Sequence, residues 1–117
     1  MTDETLIKSA DLIGRNLVDP VGGKLGVIRE LYLHRQTGQA QFAIVDAGGF
    51  LSAGGKFHVI PWRLLRFDEA SGDYAATLTK ERLKSAPAYD RDQLNSTTYG
   101  WSEQIERFFE SPSEDSH

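Results

Sequence analysis

Residues 41–67 read QFAIVDAGGFLSAGGKFHVIPWRLLRF: an apolar run, a glycine-bracketed loop and a second apolar run that meets proline and tryptophan. Phe42, Ala43, Ile44 and Val45 form a short, β-rich segment bounded by Asp46, Gly48 and Gly49, as a strand does when it delivers its chain into a tight turn. Phe57, Val59 and Ile60 are the returning strand. Pro61 has no amide hydrogen, so pairing is expected to break or shift to a sheet edge there before Trp62, Leu64, Leu65 and Phe67 resume the apolar pattern. This hairpin is the centre of a small β-domain, with Leu31, Ile44, Val45, Val59 and Ile60 expected in one continuous core. Among Gly48, Gly49, Gly54 and Gly55, at least one is expected at positive φ, where a Cβ would strain the loop.

Outward from the hairpin, the N-terminal side holds a polar lead-in over residues 1–10 and a first strand from Leu12 to the Asp19-Pro20 turn. In the strand from Leu25 to His34, Leu25, Val27, Leu31 and Leu33 share one parity and Ile28 the other, which a bulge near Arg29 or Glu30 would reconcile. Bulges bend strands, so this irregularity favours closure into a small barrel over a flat sheet. On the C-terminal side, Asp68 to Asp73 with Ser71-Gly72 signals another hairpin, followed by a strand from Tyr74 to Leu78. Thr79 is placed to cap a short helix that Pro87 ends. Tyr89 to Gly100 reads as an extended loop held to the body by Tyr89, Leu94 and Tyr99. Trp101, Ile105, Phe108 and Phe109 then recur at helical spacing opposite Glu103, Glu106, Arg107 and Glu110, predicting an amphipathic helix over about residues 102–110.

A chain of 117 residues is one ordinary domain, and 39% hydrophobic with 26% charged residues is a globular composition. Cysteine is absent, which excludes disulfides, thiol catalysis and cysteine-ligated metal. No apolar run approaches the ~20 residues of a membrane helix, and Thr2, Asp3 and Glu4 are not a basic, hydrophobic leader, so a cytoplasmic location is expected. The net charge of −4 argues against a nucleic-acid partner. Residues 88–117 carry −5 of it, leaving about +1 on the rest, so an acidic tail begins near Pro87. The organisation read from this is a lead-in over 1–10, a barrel domain over 11–90 and an acidic extension over 91–117.

The succession Leu12-Ile13-Gly14, Gly23-Lys24-Leu25-Gly26-Val27-Ile28, Glu30-Leu31, the span Val45 to Lys56, then Ile60-Pro61-Trp62 and Leu65 resembles the PRC-barrel family. Leu78 to Tyr89, reading LTKERLKSAPAY, is similar to the close of many bacterial stand-alone members. The likeness covers roughly residues 10–90, and the Gly-Gly-Phe-Leu loop followed by Pro61-Trp62 is its most specific part; Ser52 stands where members commonly have a further glycine. The resemblance implies an all-β fold, a small, partly open antiparallel barrel of about five to six strands with one short helix and the C-terminal amphipathic helix. It also implies a domain that docks on something larger. In the photosynthetic reaction centre H subunit the domain caps a membrane complex and supports proton delivery to a quinone, and a similar barrel in the ribosome maturation factor engages a ribosomal assembly. Neither the transmembrane helix of the first nor the N-terminal domain of the second is expected within these 117 residues.

Each chemical site has a structural reading beside it. Gly54-Gly55-Lys56 is not a phosphate loop, because Phe50 stands where its first glycine belongs and Phe57 replaces the Ser or Thr. His34 and His58 lie on neighbouring strands, but spacing supplies no third metal ligand. Asp46 is placed to cap the turn amides rather than to act as a base. No catalytic, metal or cofactor residue is therefore assigned, and none of the three is expected. Phe50 and Leu51 are apolar residues at a loop tip that either tuck over the barrel mouth or meet a partner. With Trp62, Trp101, Ile105, Phe108 and Phe109 they are the candidate contact residues of a protein-interaction or assembly module; the tail-helix stripe is expected to bury against either its own barrel or a second copy, with a symmetric homodimer favoured. The alternatives are a small-ligand-binding barrel and an adaptor in ribosome or RNA maturation.

Overall fold

The computed structural model describes residues 6–48, 56–95 and 100–110. Seven strands form a single non-closed sheet: β1 (Asn16–Val18), β2 (Lys24–Leu33), β3 (Ala40–Asp46), β4 (Phe57–Pro61), β5 (Leu65–Asp68), β6 (Asp73–Ala76) and β7 (Ala88–Tyr89), in spatial order β5-β6-β1-β2-β3-β4-β7. Four helices are described: α1 (Ser9–Leu12), α2 (Lys80–Ser85), α3 (Arg91–Leu94) and α4 (Trp101–Glu110). The barrel is thus all-β and partly open as expected, with more strands than anticipated. One neighbouring pair, β1 with β6, runs parallel, because the chain returns to the first strand only after the β5–β6 hairpin.

The central hairpin forms where the sequence places it. Phe42 to Val45 pair with Pro61 to His58, and Pro61 closes β4 before a 3-10 turn over Trp62–Leu64. The β2–β3 register slips between Ile28 and Glu30, so Arg29 is a bulge and Ile28 and Leu31 reach the same side. Gly26 sits where strands crowd: a Cβ there would come within 2.7 Å of the Asp46 carbonyl oxygen and of Val45 Cγ1. Gly48, leaving β3, has φ 67°, the left-handed conformation anticipated for the loop. Residues 49–55, with Gly54 and Gly55, lie outside the described residues.

Two readings shift. The predicted first strand from Leu12 begins instead as α1, whose Leu12 is buried, and only Asn16–Val18 pairs. The stretch after Tyr89 is more ordered than a loop: Asp90 accepts from the Gln93 backbone N–H while Gln93 Oε1 accepts from the Asp90 N–H, a reciprocal cap that starts α3. The α2 helix starts as expected, Thr79 Oγ1 accepting from the Arg82 N–H at 3.1 Å.

The expected single core is two. Leu17, Leu25, Ile28, Ala43, Val45, Ile60, Leu65, Tyr74 and Ala76 face the barrel interior, with Leu12, Leu78 and Leu83 covering it and Leu31 half-buried beside it. Ile44 and Val59 face the other way and form a second cluster with Tyr89, Leu94, Trp101 and Ile105. The physical reason is the pleat: successive residues of β3 and β4 point to opposite faces, so a strand buried along Ala43, Ile44 and Val45 needs cover on both.

Candidate functional site

Five of the seven candidate contact residues fall within the described residues. Phe50 and Leu51 lie outside the described residues. Trp62 is half-buried against the barrel core, its ring 5.7 Å from that of Tyr74. Trp101 and Ile105 are 7% and 0% exposed beneath their own chain, so α4 completes the outer cluster in cis, and these two are interior rather than contact surface. Trp101 meets Tyr32 at 5.0 Å, Phe42 at 5.4 Å and Tyr89 at 6.3 Å between ring centroids, in tilted and edge-on arrangements that suit aromatic quadrupoles. Phe108 and Phe109 are half-buried, Phe108 under the Arg82 guanidinium at 4.0 Å.

Polar bonds pin the tail at its rim. Tyr32 Oη donates to the Leu94 carbonyl at 2.6 Å, Tyr89 Oη donates to Gln104 Oε1, and Arg82 Nη2 donates to the Phe108 carbonyl at 2.8 Å. Arg63 Nη1 reaches both Glu106 carboxylate oxygens, at 2.8 and 2.9 Å, and Arg91 pairs with Glu30 at 3.3 Å. Burial raises the phenol pKa of both Tyr74 and Tyr89 above its ordinary value; at Tyr74 the nearby Arg15 cation pulls in the opposite direction with smaller effect.

The residues weighed for chemistry are in structural use. His34 Nδ1 accepts from the Gln36 and Thr37 N–H groups in the β2–β3 turn, whereas His58, 2% exposed, lies 3.3 Å through Nδ1 from the Pro87 carbonyl. They sit at opposite ends of β3, beside Leu33↔Ala40 and across from Val45 respectively. Asp46 Oδ1 accepts from the Gly48 N–H at 2.9 Å, and Asp46 Oδ2 is 3.7 Å from Arg29. No cluster of three or more His, Asp or Glu side chains able to hold a metal occurs among the described residues, and no helix there is long and apolar enough to cross a membrane.

A surface that the sequence reading did not single out lies along β2. Ile7, Leu12, Ile13, Leu31, Leu33 and Ala40 line an open groove of about 520 Å³ between the α1 segment and the β2–β3 hairpin, with Arg29 and Glu30 beside it. Ile7, Ile13 and Leu33 are 42, 38 and 56% exposed. A signal existed: the lead-in taken as polar contains Leu6 and Ile7, and Leu33 continues an apolar parity past the end of the core.

The chain matches the PRC-barrel domain over residues 4–83, so the match ends within α2, and β7 and the outer cluster's α3 and α4 lie beyond the matched residues. It is also 34% identical over 76 residues to an uncharacterised protein of Deinococcus radiodurans; the match covers 65% of this chain and 27% of that protein, so the chain spans about a quarter of its relative's length. The curled sheet, its bulged β2 and the extent of the domain match agree, and the chain belongs to the PRC-barrel domain family.

Proposed function

We propose that the chain is a non-catalytic protein-binding module that docks on a larger assembly in the cytoplasm, and that the groove beside β2 receives an aliphatic segment of a different protein. The observation that carries this is the gathering of Ile7, Ile13 and Leu33, three of the six large apolar side chains most exposed among the described residues, around one groove. Full burial of a side chain of this size supplies roughly 1.5–3 kcal/mol, and each of these three, about half exposed, still forgoes a part of that. The groove's charged neighbours, Arg29 and Glu30, are engaged by the chain's own Asp46 and Arg91, so recognition there rests on shape and apolar contact. The relative's length supports a modular role, since its matched region is 27% of a longer protein.

The test uses Leu33→Glu, which alters an exposed site and is expected to leave the melting temperature nearly unchanged. A protein captured from cell extract, then purified, is expected to bind the intact chain in calorimetry and to lose at least about tenfold in affinity for the variant. Equal binding to both would overturn the reading, as would a change in the chain's own mass on Leu33→Glu, which would assign the groove to self-association. Selective thermal stabilisation by one of a panel of nucleotides, quinones or metals would favour a small-ligand barrel instead.

A further inference from the structure

The sheet has two edge strands, and they are finished differently. β7 is two residues long, preceded by Pro87 and followed at once by the Asp90 cap of α3, so it offers little free strand. β5 is four residues, LRFD, without proline or lysine, and among the described residues no strand pairs with its outer side. The hydrogen-bond phase of the ladder assigns its free groups. The Thr77 N–H donates to the Leu64 carbonyl at 3.1 Å at one end of the β5–β6 hairpin, and the Gly72 N–H donates to the Asp68 carbonyl at 2.8 Å in its loop. Alternation along an antiparallel pair then turns the main-chain groups of Arg66 and Asp68 toward β6 and those of Phe67 outward. The Phe67 side chain, 47% exposed, stands at the rim with its ring 5.4 Å from that of Tyr74.

We propose that β5 is a self-pairing edge: two copies of the chain join their β5 strands antiparallel about a two-fold axis through Phe67. In that register each Phe67 exchanges both backbone hydrogen bonds with its counterpart, and Arg66 lies opposite Asp68 of the second copy, twice by symmetry. The adjacent registers set Arg66 against Arg66, or Asp68 against Asp68, and like charges oppose both. Arg66 has no ion-pair partner among the described residues, so its charge is complementary to the second copy rather than engaged at home. The self-pairing edge is remote in sequence from the β2 groove and does not depend on the docking reading.

Sedimentation equilibrium across a wide concentration range tests it, with circular dichroism to verify that each variant is folded. The intact chain is expected at twice its 13.0 kDa mass. Phe67→Pro deletes an N–H that points away from β6 and is expected to give a folded monomer. Arg66→Asp and Asp68→Arg each face like charges across the axis and are expected to weaken the dimer about tenfold; mixed, the two restore opposite charges at both positions and are expected to re-form it as a heterodimer. Asp68 also accepts from the Ala70 N–H and the Ser71 hydroxyl, so if Asp68→Arg does not fold, Phe67→Pro decides. An intact chain that is monomeric throughout, a dimer that survives Phe67→Pro, or a mixture of two folded charge variants that fails to regain mass overturns the proposal.

Discussion

The two faces of the β3–β4 hairpin are buried by different means. Inward, Ala43, Val45 and Ile60 meet side chains from β1, β2, β5 and β6, an interior that is mostly aliphatic and is closed by the curl of the sheet itself. Outward, Ile44 and Val59 are covered by Leu94, Trp101 and Ile105, a layer centred on one indole ring, laid on by the chain beyond the residues that match the family and tied down at its margin by hydrogen bonds and ion pairs. The inner face needs non-local strand pairing to exist at all. The outer one needs only that a short amphipathic helix find an apolar sheet, and such a helix is stable because of that packing rather than by its own propensity.

Trp101→Ala tests the outer layer most severely. It removes the ring that Tyr32, Phe42 and Tyr89 surround and is expected to cost about 3–5 kcal/mol in urea unfolding, against about 2–5 kcal/mol for Ile60→Ala on the inner face. Because both residues rest on the same two strands, each variant is expected to unfold in one transition; two separated transitions in Trp101→Ala alone would show that the faces are independent.

Alkaline pH probes both faces at once. Burial raises the folded-state pKa of Tyr74, facing inward, and of Tyr89, facing outward, above the ordinary 10.0. A raised folded value means that the stability contribution is complete below pH 10.0 and is lost as pH rises through the folded pKa, because the unfolded phenol releases its proton first. The melting temperature is expected to fall from about pH 10 upward. Tyr89→Phe removes the outer share of that fall, together with the hydrogen bond to Gln104, at a cost of about 0.5–1.5 kcal/mol near neutral pH. An unchanged alkaline profile in Tyr89→Phe would leave Tyr74 as its source.

The smallest effect belongs to the outer margin. Arg63 and Glu106 are about half and two-fifths exposed, and Arg63→Ala is expected to cost about 0.2–1 kcal/mol, diminishing as salt is added. A larger, salt-independent loss would mean that the arginine stem, rather than its charge, holds α4.

Much of this was legible from local pattern. The hairpin, the bulge at Arg29, the Thr79 cap and the stripe of α4 follow from residue type and spacing, which act over a few positions. The α3 start was legible too, since Asp90 and Gln93 have the spacing of a reciprocal cap, but a four-residue helix lacks the periodicity that would have drawn attention to it. Trp101 and Ile105 read as residues that must be buried, against their own barrel or a second copy, and of the two the structure shows the barrel rather than the favoured copy, because an apolar stripe specifies that it will be covered without specifying by what.

The sequence by itself determined a cysteine-free β-domain, its family likeness and the helical character of its tail, because composition, turn chemistry and hydrophobic period are local quantities. Only the tertiary structure decided that the apolar run of β3 serves two cores, that the tail closes the second in cis, and that apolar side chains gather at the β2 groove. Those outcomes depend on which distant segments meet across the sheet, and the alternation of a strand names two faces without naming what lies against either.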